Sequence, residues 1–306
     1  MKKRIYCPDI ECDSCLKVLE KVFSKLQGVK KHEIKDNYVD VEFNETLIKA
    51  KTIIQAIKDK GYRASLEPYT RKKIGERGKE FLKDKKKYQI EYMMLRNIGI
   101  TFLVLLLLDA LLIYLKSTAD PTFIGNYAWW IFYLTLSVAT IGGAIWHFKS
   151  YKTQYTCMVG MMIGMTLGMQ TGMMIGAVLG VTNGFFTGAL VGMLIASAIG
   201  AYCGQCCGIM GIMEGIMAGI MGGTMGAMIT VMMFNNNILW FMPPFMILNM
   251  TILAGLSYMI FEEVVEDNKS IIKNPISFQK FLLLCLLAWG ILMAIMLLTP
   301  ASIFVQ

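Results

Sequence analysis

The chain has 306 residues, of which 55% are hydrophobic, and a formal net charge of +8. Its mean hydropathy of +0.51 is higher than that of ordinary soluble domains. These values exclude a purely soluble globular protein and predict a membrane protein. The charge is unevenly distributed, because residues 1–96 hold 24 of the 30 lysines and arginines. We therefore expect a basic soluble block followed by a membrane-embedded region.

The soluble block alternates strand and helix patterns. Its segments are a strand at 2–7, a helix from 13 to 27, strands at 29–35 and 38–43, a helix at 46–60 and a strand at 62–67. This βαββαβ order predicts a ferredoxin-like α+β domain over residues 1–68. The opening "MKKRIYCPDIECDSC" lacks the apolar core of a signal peptide, so we expect this domain to stay in the cytosol.

Three stretches of this domain resemble a known family. They are "CDSC", "LQGVKKHEIK" and "YVDVEFNETLIKAKTIIQAIKDKGYRA". Together they are similar to the heavy-metal-associated (HMA) domain of copper chaperones and metal-pumping ATPases, over residues 3–67. The resemblance implies that Cys12 and Cys15 bind the metal ion. The Gly-Met that usually precedes this motif is replaced by Asp9 and Ile10.

The chemistry of the cysteine pair is consistent with a soft metal. The second cysteine opens a predicted helix, whose N-terminus favours a thiolate, and two thiolates suit Cu(I). Glu11 and Asp13 add carboxylates that favour Zn(II) or another divalent ion, so the metal stays open. A redox dithiol is one alternative. An iron–sulfur site that includes Cys7 is another, although it needs a fourth cysteine and none occurs before Cys157.

Residues 69–96 form a basic linker with ten lysines and arginines against four acids. A juxtamembrane helix on anionic lipid headgroups and a solvated linker helix are both compatible with this composition.

Seven apolar runs long enough to cross a bilayer follow in residues 97–306. They lie at 97–115, 127–147, 156–180, 183–202, 207–234, 238–261 and 278–298. Four lysines in the predicted inner loops obey the positive-inside rule with the N-terminus in the cytosol. The sequence therefore predicts an α-helical polytopic protein with about seven transmembrane helices, embedded in the lipid bilayer of the cell membrane.

Glycine and methionine recur with helical spacing in this region, as in "GMMIGMTLGMQTGMMIG" at 160–176. Glycine at every fourth residue favours close helix packing. Methionines follow one face of the third and fifth predicted spans, at Met158, Met162, Met165, Met169 and Met173 and at Met210, Met213, Met217, Met221, Met225, Met228 and Met232. We interpret these two faces as a shared ladder of thioethers that passes Cu(I) or Ag(I). The alternative is that methionine only fills the core.

Four of the eight cysteines fall at one predicted membrane surface. With the N-terminus inside, Cys157, Cys203, Cys206 and Cys207 gather at the cytosolic mouth, next to Met158, Met210 and Glu214. We expect "YCGQCCG" to be a flexible loop suited to ligand exchange. Its vicinal cysteines are similar to those of bacterial mercury-uptake membrane proteins, which keeps Hg(II) among the candidate ions. Polar residues inside the predicted spans are further candidates, namely Asp109, Gln170, Asn183, Glu214 and Asn249.

These patterns predict a soft-metal transporter or channel. No phosphate-binding loop and no Asp-Lys-Thr-Gly sequence occurs, so we expect no ATP hydrolysis, no enzymatic activity and no nucleic-acid partner. Uptake is favoured, because ligand affinity for Cu(I) rises toward the cytosolic thiols and an inside-negative potential draws cations inward. The metal ion and a cytosolic copper chaperone are the expected partners, and the oligomeric state stays open. The alternatives are a copper exporter, a mercury or divalent-metal transporter, a membrane-bound metal sensor or storage protein, and a structural membrane protein.

Overall fold

The structure, a computed structural model, describes residues 2–10, 13–35, 37–45, 47–68, 88–118, 122–152, 155–233, 237–262, 272–273 and 275–300. The chain divides into two compact units. The first contains residues 1–87, 152–159 and 259–272, and the second contains the remaining residues.

Residues 2–68 of the first unit, which we call the N-terminal unit, contain a three-stranded antiparallel sheet and two helices. The elements are β1 (Lys2–Tyr6), α1 (Asp13–Lys25), β2 (Val29–Lys35), β3 (Tyr38–Phe43) and α2 (Ala50–Lys58), and the strand order is β1-β3-β2. The two helices bury residues four positions apart, Leu19 and Phe23 on α1 and Ile53 and Ile57 on α2, in one core with the sheet. This unit is therefore a small α+β fold.

The predicted fourth strand at 62–67 is reduced to a single bridge. Tyr6 and Ser65 exchange two backbone hydrogen bonds of 2.8 and 3.0 Å. Beside them, the backbone N–H of Arg63 donates to the Asp9 carboxylate at 2.7 Å, so a side chain takes a donor that a strand would use. The sheet consequently has three strands rather than the four of the predicted ferredoxin-like order.

Within the described residues, six helices between Gln89 and Leu298 are long and apolar enough to cross a membrane. They are α3 (Gln89–Ser117), α4 (Phe123–Ser150), α5 (Cys157–Gly204), α6 (Ile209–Met232), α7 (Ile238–Ile260) and α8 (Phe278–Leu298). Two short strands, β4 (Tyr151–Lys152) and β5 (Ile272–Lys273), complete the elements. Residues 89–96 of the predicted linker belong to α3, and residues 69–87 lie outside the described residues.

Helix α5 is bent back on itself at Gly184, which explains why seven apolar runs correspond to six helices. Gly184 has φ 86° and ψ 168°, a conformation that only glycine adopts without strain. We call residues 157–183 the first arm and residues 185–204 the second arm. The arms run antiparallel, because a methyl group added to Gly164 would lie 2.9 Å from the Cα of Gly204. They correspond to the third and fourth predicted spans.

Helix α6 packs against both arms through glycine. A methyl group added to Gly180 on the first arm would lie 2.9 Å from the Cα of Ala227 on α6. A methyl group on Gly200 of the second arm would collide with the backbone of Gly215 on α6. The three segments therefore meet backbone to backbone, along a contact that we call the glycine seam.

Candidate metal path

The predicted metal-binding pair of the N-terminal unit is described in part. Cys12 lies outside the described residues. Cys15, in the first turn of α1, is 5% exposed and belongs to the hydrophobic core. Cys7 is fully buried, and burial together with the nearby Asp9 raises the pKa of its thiol to about 12. Burial thus keeps the Cys7 thiol protonated at neutral pH, and Cys7 and Cys15 both belong to the hydrophobic core of this unit.

The segment before the cysteine motif is anchored to the far end of the same unit. The Asp9 carboxylate accepts hydrogen bonds from the backbone N–H of Arg63 at 2.7 Å and from its Nε at 2.9 Å. The guanidinium also forms an ion pair with it, and both side chains are mostly buried. Ile10 is 3% exposed. Asp9 is thus a charged anchor and Ile10 a core residue just before the cysteine motif.

The segment "YCGQCCG" is helical rather than a loop, which corrects the prediction. Cys203 lies in the last turn of α5 and is fully buried, and residues Gln205–Cys207 form one 3₁₀ turn. The thiol of Cys206 donates to the carbonyl of Cys203 at 3.4 Å. The chain reverses at Gly208, whose φ is 74°, so a single glycine supplies the turn that a flexible loop was expected to provide.

Two of these cysteines pack on the first arm. A methyl group added to Gly160 would lie 2.9 Å from the Cβ of Cys207 and 3.0 Å from the Sγ of Cys206. Cys157 is the first residue of α5 and is half-buried. Across the described part of the chain, no three His, Cys, Asp or Glu side chains lie together as a group that could hold a metal ion. The predicted four-cysteine mouth is therefore not a preformed cluster there.

The methionines of α6 form one continuous exposed row. All seven, at 210, 213, 217, 221, 225, 228 and 232, are between 39% and 70% exposed. The buried residues of the same helix are the glycines, alanines and Thr230 of the opposite face. Glu214 is half-buried and lies between Met210 and Met217 by helical spacing. We call this row, with Glu214, the α6 methionine stripe.

The methionines of the first arm change from exposed to half-buried along the helix. Met158, Met162 and Met165 are 43–50% exposed, whereas Met169 and Met173 are half-buried. The backbone of Met173 lies in the glycine seam, because a methyl group on Gly226 would be 2.8 Å from its Cα. Glycine faces therefore meet within the chain, and the α6 methionine stripe lies on the outside. The spacing of the methionines predicts that the two methionine faces pack together. In the structure the glycine face of α6 is the buried one, so its methionine face stays exposed.

Two of the polar residues inside the helices, Asp109 and Asn183, tie separate segments together. Asp109 accepts hydrogen bonds from Thr135 at 2.6 Å and from Trp289 Nε1 at 3.1 Å, which joins α3, α4 and α8. Asn183 donates to the carbonyl of Met296 at 2.9 Å and to Thr299 Oγ1 at 2.7 Å. Asn249 and Gln170 are also buried. Asp109 is thus a structural partner of neighbouring helices.

One polar cluster that was not predicted from the sequence lies where the start of α3 meets the end of α4. Glu91, His147 and Tyr151 are all buried there, and the Tyr151 hydroxyl donates to Glu91 Oε1 at 2.5 Å. Glu91 was assigned to the linker and His147 to the end of an apolar run. The signal that could have found them is that each is an ionisable residue within a helix long enough to span a membrane.

Comparisons with known proteins leave the chain to be interpreted from its own residues. No protein-family model matches it, and neither curated proteins nor solved structures give a match.

Proposed function

We propose that this chain is a membrane transporter for a soft monovalent metal ion, Cu(I) or Ag(I). The observation that carries the proposal is the α6 methionine stripe. Its seven thioethers follow the whole helix, which at 24 residues is about 36 Å long. Thioethers are soft and uncharged, so they can bind Cu(I) in turn without the cost of burying fixed charges in a membrane.

The position of the stripe determines where the path lies in this proposal. Within one chain the glycine seam occupies the buried face of α6, and the methionines are exposed. An ion path needs thioethers on more than one side of the ion. We therefore place the path between two or more copies of the chain, with the α6 methionine stripes facing one another.

The N-terminal unit acts as the cytosolic acceptor in this proposal. Its resemblance to HMA domains assigns the metal to Cys12 and Cys15, and the ferredoxin-like fold of that family is part of the same assignment. The cysteines at the end of α5 and Glu214 are intermediate ligands between the stripe and this pair. Thiols bind Cu(I) more strongly than thioethers, so affinity increases toward the cytosol and uptake is the favoured direction.

Intracellular metal content tests the proposal in cells of known copper exposure. Cells that express the wild-type chain are compared with cells that express Met217→Leu/Met221→Leu, which keeps side-chain volume and apolarity. Met242→Leu/Met246→Leu is the matched control, because these two methionines are buried and belong to α7 rather than to the stripe. We expect higher copper content with the wild type and the control than with the stripe variant.

The outcomes separate the alternatives. Lower copper content and greater copper tolerance on expression of the wild type would reverse the direction to export. An intracellular copper content that is the same with the wild type and with every variant would favour a sensor or storage protein. Accumulation of zinc or mercury without copper would move the substrate to a divalent ion.

A further inference from the structure

Glu91 and His147 form a buried pair that the proposed copper path does not use. Glu91 is 8% exposed and His147 is fully buried, at the end of the contact between α3 and α4. The His147 Nε2 lies 3.5 Å from Glu91 Oε1. The ring of His147 also packs edge-on against Tyr151, with ring centroids 5.4 Å apart.

Several polar atoms of this pair have no hydrogen-bond partner among the residues that the structure describes. They are Glu91 Oε2 and both ring nitrogens, Nδ1 and Nε2, of His147. Leaving a buried polar atom unpaired costs about 1–3 kcal/mol, and more for a charged group. Such a concentration of unpaired donors and acceptors points to a bound species.

The separation of the two side chains matches that of two ligands of one metal ion. Hydrogen bonds between nitrogen and oxygen are usually 2.7–3.2 Å long, so 3.5 Å is long for a direct contact. Ligands at about 2.0–2.1 Å from a tetrahedral zinc ion lie roughly 3.3–3.4 Å from each other. Imidazole nitrogen and carboxylate oxygen are also donors that zinc-class ions accept.

We propose that Glu91 and His147 bind a divalent transition-metal ion of the zinc class, with water completing its coordination. The Tyr151 hydroxyl orients the Glu91 carboxylate by its hydrogen bond, as an outer-shell partner does for a metal ligand. The site differs in chemistry from the sulfur ligands of the copper path. It stands on its own geometry, independently of the proposed transport function.

Zn(II) binding to the purified full-length chain in lipid nanodiscs tests this site. The chain has only two histidines, His32 and His147. Labelling with ¹⁵N-histidine therefore gives two imidazole rings to follow by NMR. We expect Zn(II) to shift the His147 ring nitrogens, and His147→Gln to remove one bound equivalent. His32→Gln is the matched control, since His32 lies on β2 and stacks on Phe23, and it should keep that equivalent.

Two further variants sharpen the result. Glu91→Gln should lower the affinity of this site for Zn(II) at least about tenfold. Tyr151→Phe should lower it about 10–100-fold, as the loss of an outer-shell partner does. An equivalent that persists unchanged in His147→Gln would overturn the site. If that variant does not fold, the wild-type spectrum still decides, because His147 nitrogens that saturating Zn(II) leaves unshifted would mean a pocket that holds only water.

Discussion

Cys7 is fully buried in the N-terminal core, whereas Cys206 is exposed at the turn after α5. These two cysteines therefore differ in reactivity, because only a thiolate binds metal or attacks an electrophile. Burial raises the pKa of Cys7 to about 12, which keeps its thiol neutral. Cys7 is therefore a structural cysteine, whereas the thiol of Cys206 is accessible to reagents in solution.

Alkylation by iodoacetamide at pH 8 should modify Cys206 in the folded protein and leave Cys7 unmodified until the chain is unfolded. The physical reason is the burial of Cys7 and its raised pKa. Peptide mass spectrometry measures the labelling, and equal rates at the two cysteines in the folded protein would contradict this expectation.

The raised pKa of Cys7 has a second consequence for the N-terminal unit. The unit loses stability as pH rises from the ordinary thiol pKa of 9.0 toward about 12, because the thiol ionises first in the unfolded chain.

At the scale of single elements, the glycine seam explains why α6 has glycine on one face and methionine on the other. A methyl group added to Gly219 would collide with the backbone of Ser197 on the second arm. On α8, by contrast, no described atom lies within 4 Å of a methyl group added to Gly290. Position in the packing therefore decides what each glycine contributes.

Gly219→Ala should destabilise the protein by about 1–3 kcal/mol, because backbone must move to accommodate the methyl group. Gly290→Ala is the matched control and should be neutral or stabilising by up to about 1 kcal/mol, since alanine favours a helix more than glycine does. Thermal unfolding in detergent measures both. A Gly219→Ala variant as stable as the control would mean that the seam is looser than described.

The sequence predicted the membrane class and the apolar runs, since hydrophobic length determines both. It could not predict that Gly184 joins two runs into one bent helix, because the positive φ of one residue leaves no pattern. The bridge at Tyr6 and Ser65 was expected to be a full strand. The hydrogen bond that limits it joins Asp9 and Arg63, which are 54 positions apart. Local patterns do not contain such distant partners.

The candidate site was predictable to a similar extent. Spacing alone placed the α6 methionines on one helical face, and the structure leaves that face exposed. Spacing did not tell which of the two faces of α6 is buried. Glu91 and Tyr151 are 60 positions apart, so their contact depends on the pairing of α3 with α4. Sites built between helices appear only once the packing is known.

For the whole molecule, the proposed ion path requires more than one copy, because one chain leaves the α6 methionine stripe open on one side. Native mass spectrometry of the protein released from nanodiscs should find two or more copies. Substituting Met217 and Met221 by arginine should shift the distribution toward one copy, since charges would then face each other within lipid. A wild-type monomer that still moves ions would place the path within a single chain.

The most direct measurement is Ag(I) flux into proteoliposomes that contain the purified chain. We predict that Met217→Leu/Met221→Leu lowers the initial rate at least about tenfold, which corresponds to about 1.4 kcal/mol in the barrier to ion movement. Met242→Leu/Met246→Leu should keep the wild-type rate, since those methionines lie on α7. A folded stripe variant with wild-type flux would contradict the account and leave the methionines as packing residues.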